Sequence, residues 1–309
     1  MHDTIFSKYP LVTVVIPTYN RLLLVQQAIE SVLGQTYGNW ELIIVDDGSG
    51  DDTVKIIRSI PDSRIRVLEM PHCGNIAVLR NTGVKAGSGE WLAFLDSDDI
   101  WVPQRLEMQL RTLQDGQRWG YGRFELMNEK MQPIPNKAGK YRALSGWIIR
   151  EVLTCEASVN IGTLIVERSL FNEVGCFNIE SRLICREDYE FVLRLALHAE
   201  TVATSELLAR IREHTDRTTS VFDDGNERTA FVYGHFMREQ HDAALVKIAR
   251  RQRAYEFTEI AIKRIKQKKY LPATRQLAKA LIHGDKWRHI LSAIRRGFSA
   301  GRENNREII

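Results

Sequence analysis

Three carboxylates fall within four residues, Asp96-Ser97-Asp98-Asp99, directly after the apolar run Trp91-Leu92-Ala93-Phe94-Leu95. Carboxylates this close repel one another, and a divalent cation relieves the repulsion while bridging to phosphate oxygens. An oxygen-only donor set suits Mg²⁺ or Mn²⁺. The competing reading is an acidic turn that caps the next helix, a position Asp and Ser favour.

Two further runs end the same way. Glu41-Leu42-Ile43-Ile44-Val45 stops at Asp46-Asp47-Gly48-Ser49, where an aspartate can accept hydrogen bonds from a nucleotide's ring N–H or ribose hydroxyls, or form an Asx turn. Leu11 to Ile16 stops at Pro17-Thr18-Tyr19-Asn20-Arg21, which offers backbone groups, a hydroxyl and an aromatic ring for a base to stack on. No G-x-x-x-x-G-K-[ST] loop is present and no G-x-G-x-x-G follows the first run. Three successive polar ends therefore suit a nucleoside diphosphate held without a glycine-rich loop.

About ninety residues beyond the acidic cluster, Glu187-Asp188 opens an amphipathic segment, either as helix-N-terminal acids stabilised by the macrodipole or as a base for a hydroxyl proton. Arg80 can support the acidic edge or a nucleotide, or make a plain surface ion pair. Arg212 and His214 precede a polar stretch at 215–220 and are candidates to contact a diphosphate; Trp101 could pack on a sugar or in the core.

The elements that must position these groups follow from periodicity. Strand patterns at 11–16, 40–45, 65–68 and 91–95 alternate with helical patterns at 22–33, 53–60, 77–86 and 103–113. This alternation predicts βαβ units and an α/β, Rossmann-like, mostly parallel sheet with helices on both faces, and ligands in such sheets bind beyond the carboxyl ends of the strands. Further strands are expected at 121–127, 161–166 and 201–211, and a helix at 187–198. From residue 229 onward only helical patterning occurs, with candidate apolar faces at Leu245, Ile248 and Ala249, at Ile260, Ala261 and Ile265, and at Leu277, Ala278 and Leu281, punctuated by Pro272 and Gly284. The expected division is 1–222 for the α/β domain and 223–309 for a basic α-helical C-terminal appendage.

Composition fits this picture: of 309 residues 44% are hydrophobic and 27% charged, which excludes a disordered chain. The four cysteines lack zinc spacing and suit a reducing compartment, and neither a signal-peptide pattern nor a membrane-spanning run is visible, so the expected location is cytoplasmic. The net charge of +4 hides an asymmetry, because about 18 Lys/Arg against about 7 Asp/Glu follow residue 233. That region suits an anionic membrane surface, which would make the protein peripheral on the inner face of the cell membrane, or a merely solvated surface. Nucleic acid is disfavoured because no aromatics are interleaved with the basic run.

Taken together, Val15-Ile16-Pro17-Thr18-Tyr19-Asn20-Arg21, Val45-Asp46-Asp47-Gly48-Ser49, Arg80-Asn81-Thr82-Gly83, the D-x-D-type Asp96-Ser97-Asp98-Asp99 and Arg186-Glu187-Asp188 resemble, in this order, a family 2 glycosyltransferase of the GT-A fold, from about residue 11 to about 220. The resemblance implies an inverting, metal-dependent transfer of a sugar from a nucleotide sugar, with UDP as the favoured nucleotide, to a glycan or lipid-linked acceptor in surface polysaccharide or lipopolysaccharide assembly. It implies Asp188 as general base and Asp98 as the ligand of Mn²⁺ or Mg²⁺. Pro17, Thr18, Tyr19, Asn20 and Asp47 would hold the nucleoside, with Asp46, Arg80 and Asp96 beside them and Glu187 next to the base. The rival reading is a non-catalytic nucleotide-sugar or glycan-binding module of the same fold.

Overall fold

The apolar run at 11–16 becomes strand β1 (Val12–Thr18), buried along its whole length as a strand covered on both faces must be. There follow α1 (Leu22–Leu33), β2 (Trp40–Asp46), α2 (Thr53–Arg58), β3 (Ile65–Glu69), α3 (Ile76–Ala86) and β4 (Trp91–Phe94). Next come β5 (Ile100–Trp101), α4 (Arg105–Thr112), β6 (Trp119–Met127), α5 (Ile149–Leu153), β7 (Ile165–Glu167), α6 (Arg168–Val174), α7 (Glu187–His198) and β8 (Val202–Arg212). The computed structural model describes residues 10–113, 116–134, 142–214, 224–284 and 292.

The strands form one sheet in the order β3-β2-β1-β4-β7-β6-β8-β5. Strands β3, β2, β1 and β4 pair in parallel and so do β6 and β8, while β7 and β5 run against the rest. Alternation along β2 explains the layers. Leu42 and Ile44 pack with Val25, Ile29 and Val32 of α1 on one face. Ile43 and Val45 pack with Leu79 of α3 on the other.

Two readings change. The expected strand at 161–166 is divided, because Asn160 accepts from the Gly162 amide at 2.8 Å and turns Ile161–Thr163 into a 3-10 helix before β7 begins. The two-residue β5 was not foreseen, yet it matters most for position. Its antiparallel register, Ile100↔Arg210 and Trp101↔Ala209, lays the end of β8 beside the acidic turn at 96–99.

The chain divides into two compact units, Met1–Arg217 and Thr218–Ile309. The boundary expected at 222/223 lies outside the described residues, as do the polar stretch at 215–220 and part of the loop at 131–139. The second unit contains α8 (Gly225–Glu239), α9 (Ala243–Lys266) and α10 (Tyr270–Ile282). Asp242 caps α9 by accepting from the Ala244 and Leu245 amides at 2.7 and 3.2 Å. Pro272 does not break the last helix: it lies in the first turn of α10, where its missing N–H would have no intrahelical partner anyway. Ala230, Phe257, Ile260 and Ala280 form this unit's own small core.

Candidate active site

The acidic turn after β4 is held by side chains from distant parts of the sequence. The Asp98 carboxylate, 8% exposed, accepts from the Arg21 guanidinium and lies 3.0 Å from Nε2 of His214. Burial works against its charged form, but His214 and Arg21 outweigh that and hold the carboxyl below the usual aspartate range. Arg212 locks the turn itself. Its amide donates to Asp99 Oδ1 at 2.9 Å, and its guanidinium donates to the Asp98 carbonyl at 3.1 Å and to Gln27 Oε1 at 2.6 Å. His214 thus reaches the acidic group directly, whereas buried Arg212 is occupied in holding the loop.

Asp96 is bound differently. Arg80, only 2% exposed, donates from Nη2 to Asp96 Oδ1 and from Nη1 to Glu187 Oε1, each at 2.7 Å. Burial alone would lower its pKa, but Asp96, Glu187 and Asp188 raise it above the usual arginine value. Of the two readings of Arg80, the surface ion pair is therefore excluded. Glu187 is pushed the other way: burial raises its carboxyl above the ordinary glutamate value, Arg80 opposes this, and neighbouring Asp188 adds to it. Its Oε2 is buried without a hydrogen-bond partner among the described residues. Asp188, half-buried, accepts from the Tyr189 amide at 2.7 Å, so it belongs to the first turn of α7 while standing beside the Arg80 bridge.

The local sequence around Arg80 explains how the bridge is reached. Asn75 caps α3 by accepting from the Ala77 amide at 3.1 Å. Gly83 lets that helix lie against β1, since a Cβ there would stand 2.4 Å from Val15 Cγ1. Asn81 exchanges two hydrogen bonds with the Phe177 backbone, at 2.8 and 3.0 Å, tying α3 to the segment that leads into α7.

The remaining strand ends form a second cluster. Asp47 is buried and both its oxygens are in use: Oδ1 accepts from the Cys73 amide at 2.8 Å and Oδ2 from the Gly74 amide at 2.9 Å, with His72 Nδ1 also 2.9 Å from Oδ2. Asp46 accepts from the Ser49 amide at 2.8 Å and from the Ser49 hydroxyl, the Asx-turn alternative raised for this motif. Asn20, at φ 48°, donates its amide to Ser49 Oγ and accepts from the Gly50 amide, both at 2.8 Å, which joins the ends of β1 and β2. Tyr19, partly exposed, stacks on His72 with ring centroids 4.2 Å apart. Pro17 pairs with Val45 within the sheet, and the buried hydroxyl of Thr18 has no hydrogen-bond partner among the described residues.

Of the two readings of Trp101, the structure supports the core. Trp101 is 2% exposed, its indole donates to the Gly162 carbonyl at 2.8 Å, and the Arg105 guanidinium lies 3.7 Å over its ring, so it is a core residue and presents no face to a sugar. Arg21 is the addition. It stood at the end of the first motif, but only the fold shows it bonded to Asp98.

A mostly parallel sheet whose carboxyl edge gathers these groups defines a GT-A architecture. A structure of S. aureus TarS 1-349 in complex with UDP-GlcNAc shares it, with a TM-score of 0.69 at 18% identity over 96% of this chain and 91% of that one. Residues 13–144 match the family described as Glycosyl transferase family 2. An Escherichia coli protein named UDP-Glc:alpha-D-GlcNAc-diphosphoundecaprenol beta-1,3-glucosyltransferase WfaP is 31% identical over 191 residues, 60% of this chain and 70% of the relative. The similarly named E. coli WfgD is 36% identical over 163 residues, 52% of this chain and 62% of the relative. The matched region thus spans less than two thirds of WfgD. The chain belongs to glycosyltransferase family 2.

Proposed function

We propose that this chain transfers a sugar, with inversion, from a UDP-sugar to a hydroxyl of a glycan or lipid-linked acceptor in surface polysaccharide assembly. The observation that carries the reading is the Arg80 bridge, which joins Asp96 of the acidic turn to Glu187 and so sets Asp188 beside the donor edge. The names of WfaP and WfgD, with UDP-glucose and a diphosphoundecaprenol-linked GlcNAc, support the donor and acceptor classes. A putative teichuronic acid biosynthesis glycosyltransferase, Bacillus subtilis TuaG, 29% identical over 240 residues, supports the polysaccharide setting. Four free cysteines agree with a reducing, cytoplasmic location.

In this reading Asp188 takes the proton of the acceptor hydroxyl. The acceptor oxygen then forms a bond to the anomeric carbon as the bond to the diphosphate oxygen breaks, and the electron pair leaves with the nucleoside diphosphate. The cluster of Tyr19, Asn20 and Asp47 holds the nucleoside, and His214 stands at Asp98 where the diphosphate arrives. Asp98, with Asp96 nearby, fits a divalent cation of the Mn²⁺ or Mg²⁺ type. Among the described residues no group of three or more His, Cys, Asp or Glu side chains could hold a metal ion, so the protein would supply only the Asp98 and Asp96 carboxylates, with substrate phosphates and water completing the shell. When bound, the ion would offset negative charge on the departing diphosphate.

The test is turnover by Asp188→Asn with UDP-glucose, Mn²⁺ and a lipid-diphosphate GlcNAc acceptor. The expected kcat falls by roughly 10²- to 10⁴-fold while donor KM stays within about twofold. An unchanged kcat, or a change confined to KM, would remove Asp188 from the role of base.

A further inference from the structure

The second unit carries a feature that sugar transfer does not use. From Ile260 to Gly284 the sequence holds seven basic residues and no acidic one. Four of them, Lys266, Lys268, Lys269 and Arg275, are exposed around the turn from α9 into α10, where Lys268 takes a left-handed backbone at φ 59°. Beside them Tyr270 is 53% exposed and Leu271 is 67% exposed.

Helix α10 has two unlike faces. Ala273 and Ala280, seven residues apart, are buried, and Ala280 and Leu277 pack with Phe257 and Ile260 of α9. The opposite stripe, at spacings of four, three and four residues, is Leu271, Arg275, Ala278 and Ile282, all exposed, with Ile282 79% exposed. This stripe explains why Ala278, an expected core position, faces outward. A helix that stands on its unit's core with one face while showing leucine and isoleucine among cations on the other is built for a boundary between apolar and anionic layers.

We infer that the outer face of α10 and the lysine-rich turn before it dock on an anionic lipid surface, with Tyr270, Leu271 and Ile282 entering the headgroup boundary and Lys266, Lys268, Lys269 and Arg275 meeting lipid phosphates. Charge complementarity selects the partner: a single-signed basic segment attracts an anionic bilayer, and the apolar stripe finds there a medium to enter. Phosphates of a nucleic acid would satisfy the lysines but offer nothing to Leu271 and Ile282.

The experiment is co-sedimentation of the full chain with phosphatidylcholine vesicles and with vesicles containing phosphatidylglycerol, at low and high salt. Binding is expected to the anionic vesicles only, weakening as salt rises. A triple variant, Lys266→Gln, Lys268→Gln and Lys269→Gln, loses about 100-fold in affinity, each lysine near the surface being equivalent to about fivefold. The double variant Leu271→Ser and Ile282→Ser, altered only at exposed positions, loses about tenfold or more in binding that persists at high salt. Far-UV circular dichroism verifies that each variant keeps its helices. Equal binding by all three proteins, no binding to anionic vesicles, or tighter binding to a duplex nucleic acid competitor that the serine variant leaves unchanged would overturn the proposal. The assay involves no turnover, so its failure leaves the transferase reading standing.

Discussion

A guanidinium as deeply buried as that of Arg80 is tolerated only while its charge is compensated, and Asp96 and Glu187 compensate it together. Arg80→Met leaves two carboxylates facing each other without a cation, and the expected loss is about 3–5 kcal/mol in urea unfolding. Arg80→Lys keeps the charge but gives up the planar fork, so one ammonium cannot span both partners in the same geometry. Its stability loss should be smaller than that of Arg80→Met while kcat still falls; equal stability losses would mean that the fork is not what links the two carboxylates. Glu187 makes a second prediction. Its folded pKa is raised, so between the unfolded and the folded value the native state keeps a proton that the unfolded chain has released, and above the folded value the carboxylate pairs with Arg80. The stabilising contribution is therefore present below the unfolded glutamate pKa and is lost as pH rises through the folded value. Urea midpoints of Glu187→Gln, which cannot titrate, should gain on those of the parent protein as pH increases from about 4.5 toward neutrality. A constant difference across that range would contradict the assignment.

At the level of elements, the bridge depends on how closely α3 approaches β1. Gly83→Ala would put a methyl 2.4 Å from Val15 Cγ1 in a strand with no room to yield, so the helix must move. Overpacking of this kind costs about 1–3 kcal/mol, and displacing Arg80 with the helix should also weaken turnover. Val15→Ala supplies the missing space. In a double-mutant cycle it should recover part of the loss caused by Gly83→Ala, and strict additivity would show that the contact is not limiting. The long elements were legible from their periodicity: α1 and α7 occupy the expected 22–33 and 187–198, and the strand ends that present Asp47 and Asp98 lie where their apolar runs stop. Illegible were pieces whose form is decided by distant partners. Two residues of β5 have no pattern of their own, and only pairing with β8 makes them a strand. The sequence left Trp101 open between a sugar contact and the core; the carbonyl that takes its N–H and decides for the core belongs to Gly162, on a 3-10 turn some sixty residues away. Arg21 lay unrecognised for the same reason, since its partner Asp98 is 77 positions further along the chain.

For the whole molecule, binding and stability are linked by mass action, which gives the site a readout that needs no acceptor. Asp46, Asp47, Asp96, Asp98 and Asp99 are gathered at one sheet edge and met by Arg21, Arg80, Arg212 and His214. A ligand that binds only the native state at 100 times its Kd stabilises it by about 2.7 kcal/mol, which for a domain of this size corresponds to a Tm rise on the order of 5 °C. UDP with Mn²⁺ should produce a rise of that order, with a smaller one for UDP alone through the cluster of Tyr19, Asn20 and Asp47. Asp98→Asn separates the two contributions. It removes the charge that would hold the cation while leaving the nucleoside cluster intact, so the Mn²⁺-dependent part should vanish and the part due to UDP alone should remain. Asp47→Asn should do the reverse to UDP alone, because a neutral amide there no longer matches the Cys73 and Gly74 amides that order the loop. Should Asp98→Asn retain the full Mn²⁺ increment in a thermal melt, the cation would have to be held elsewhere, and the acidic turn would be left as a scaffold tied by Arg21, Arg212 and His214.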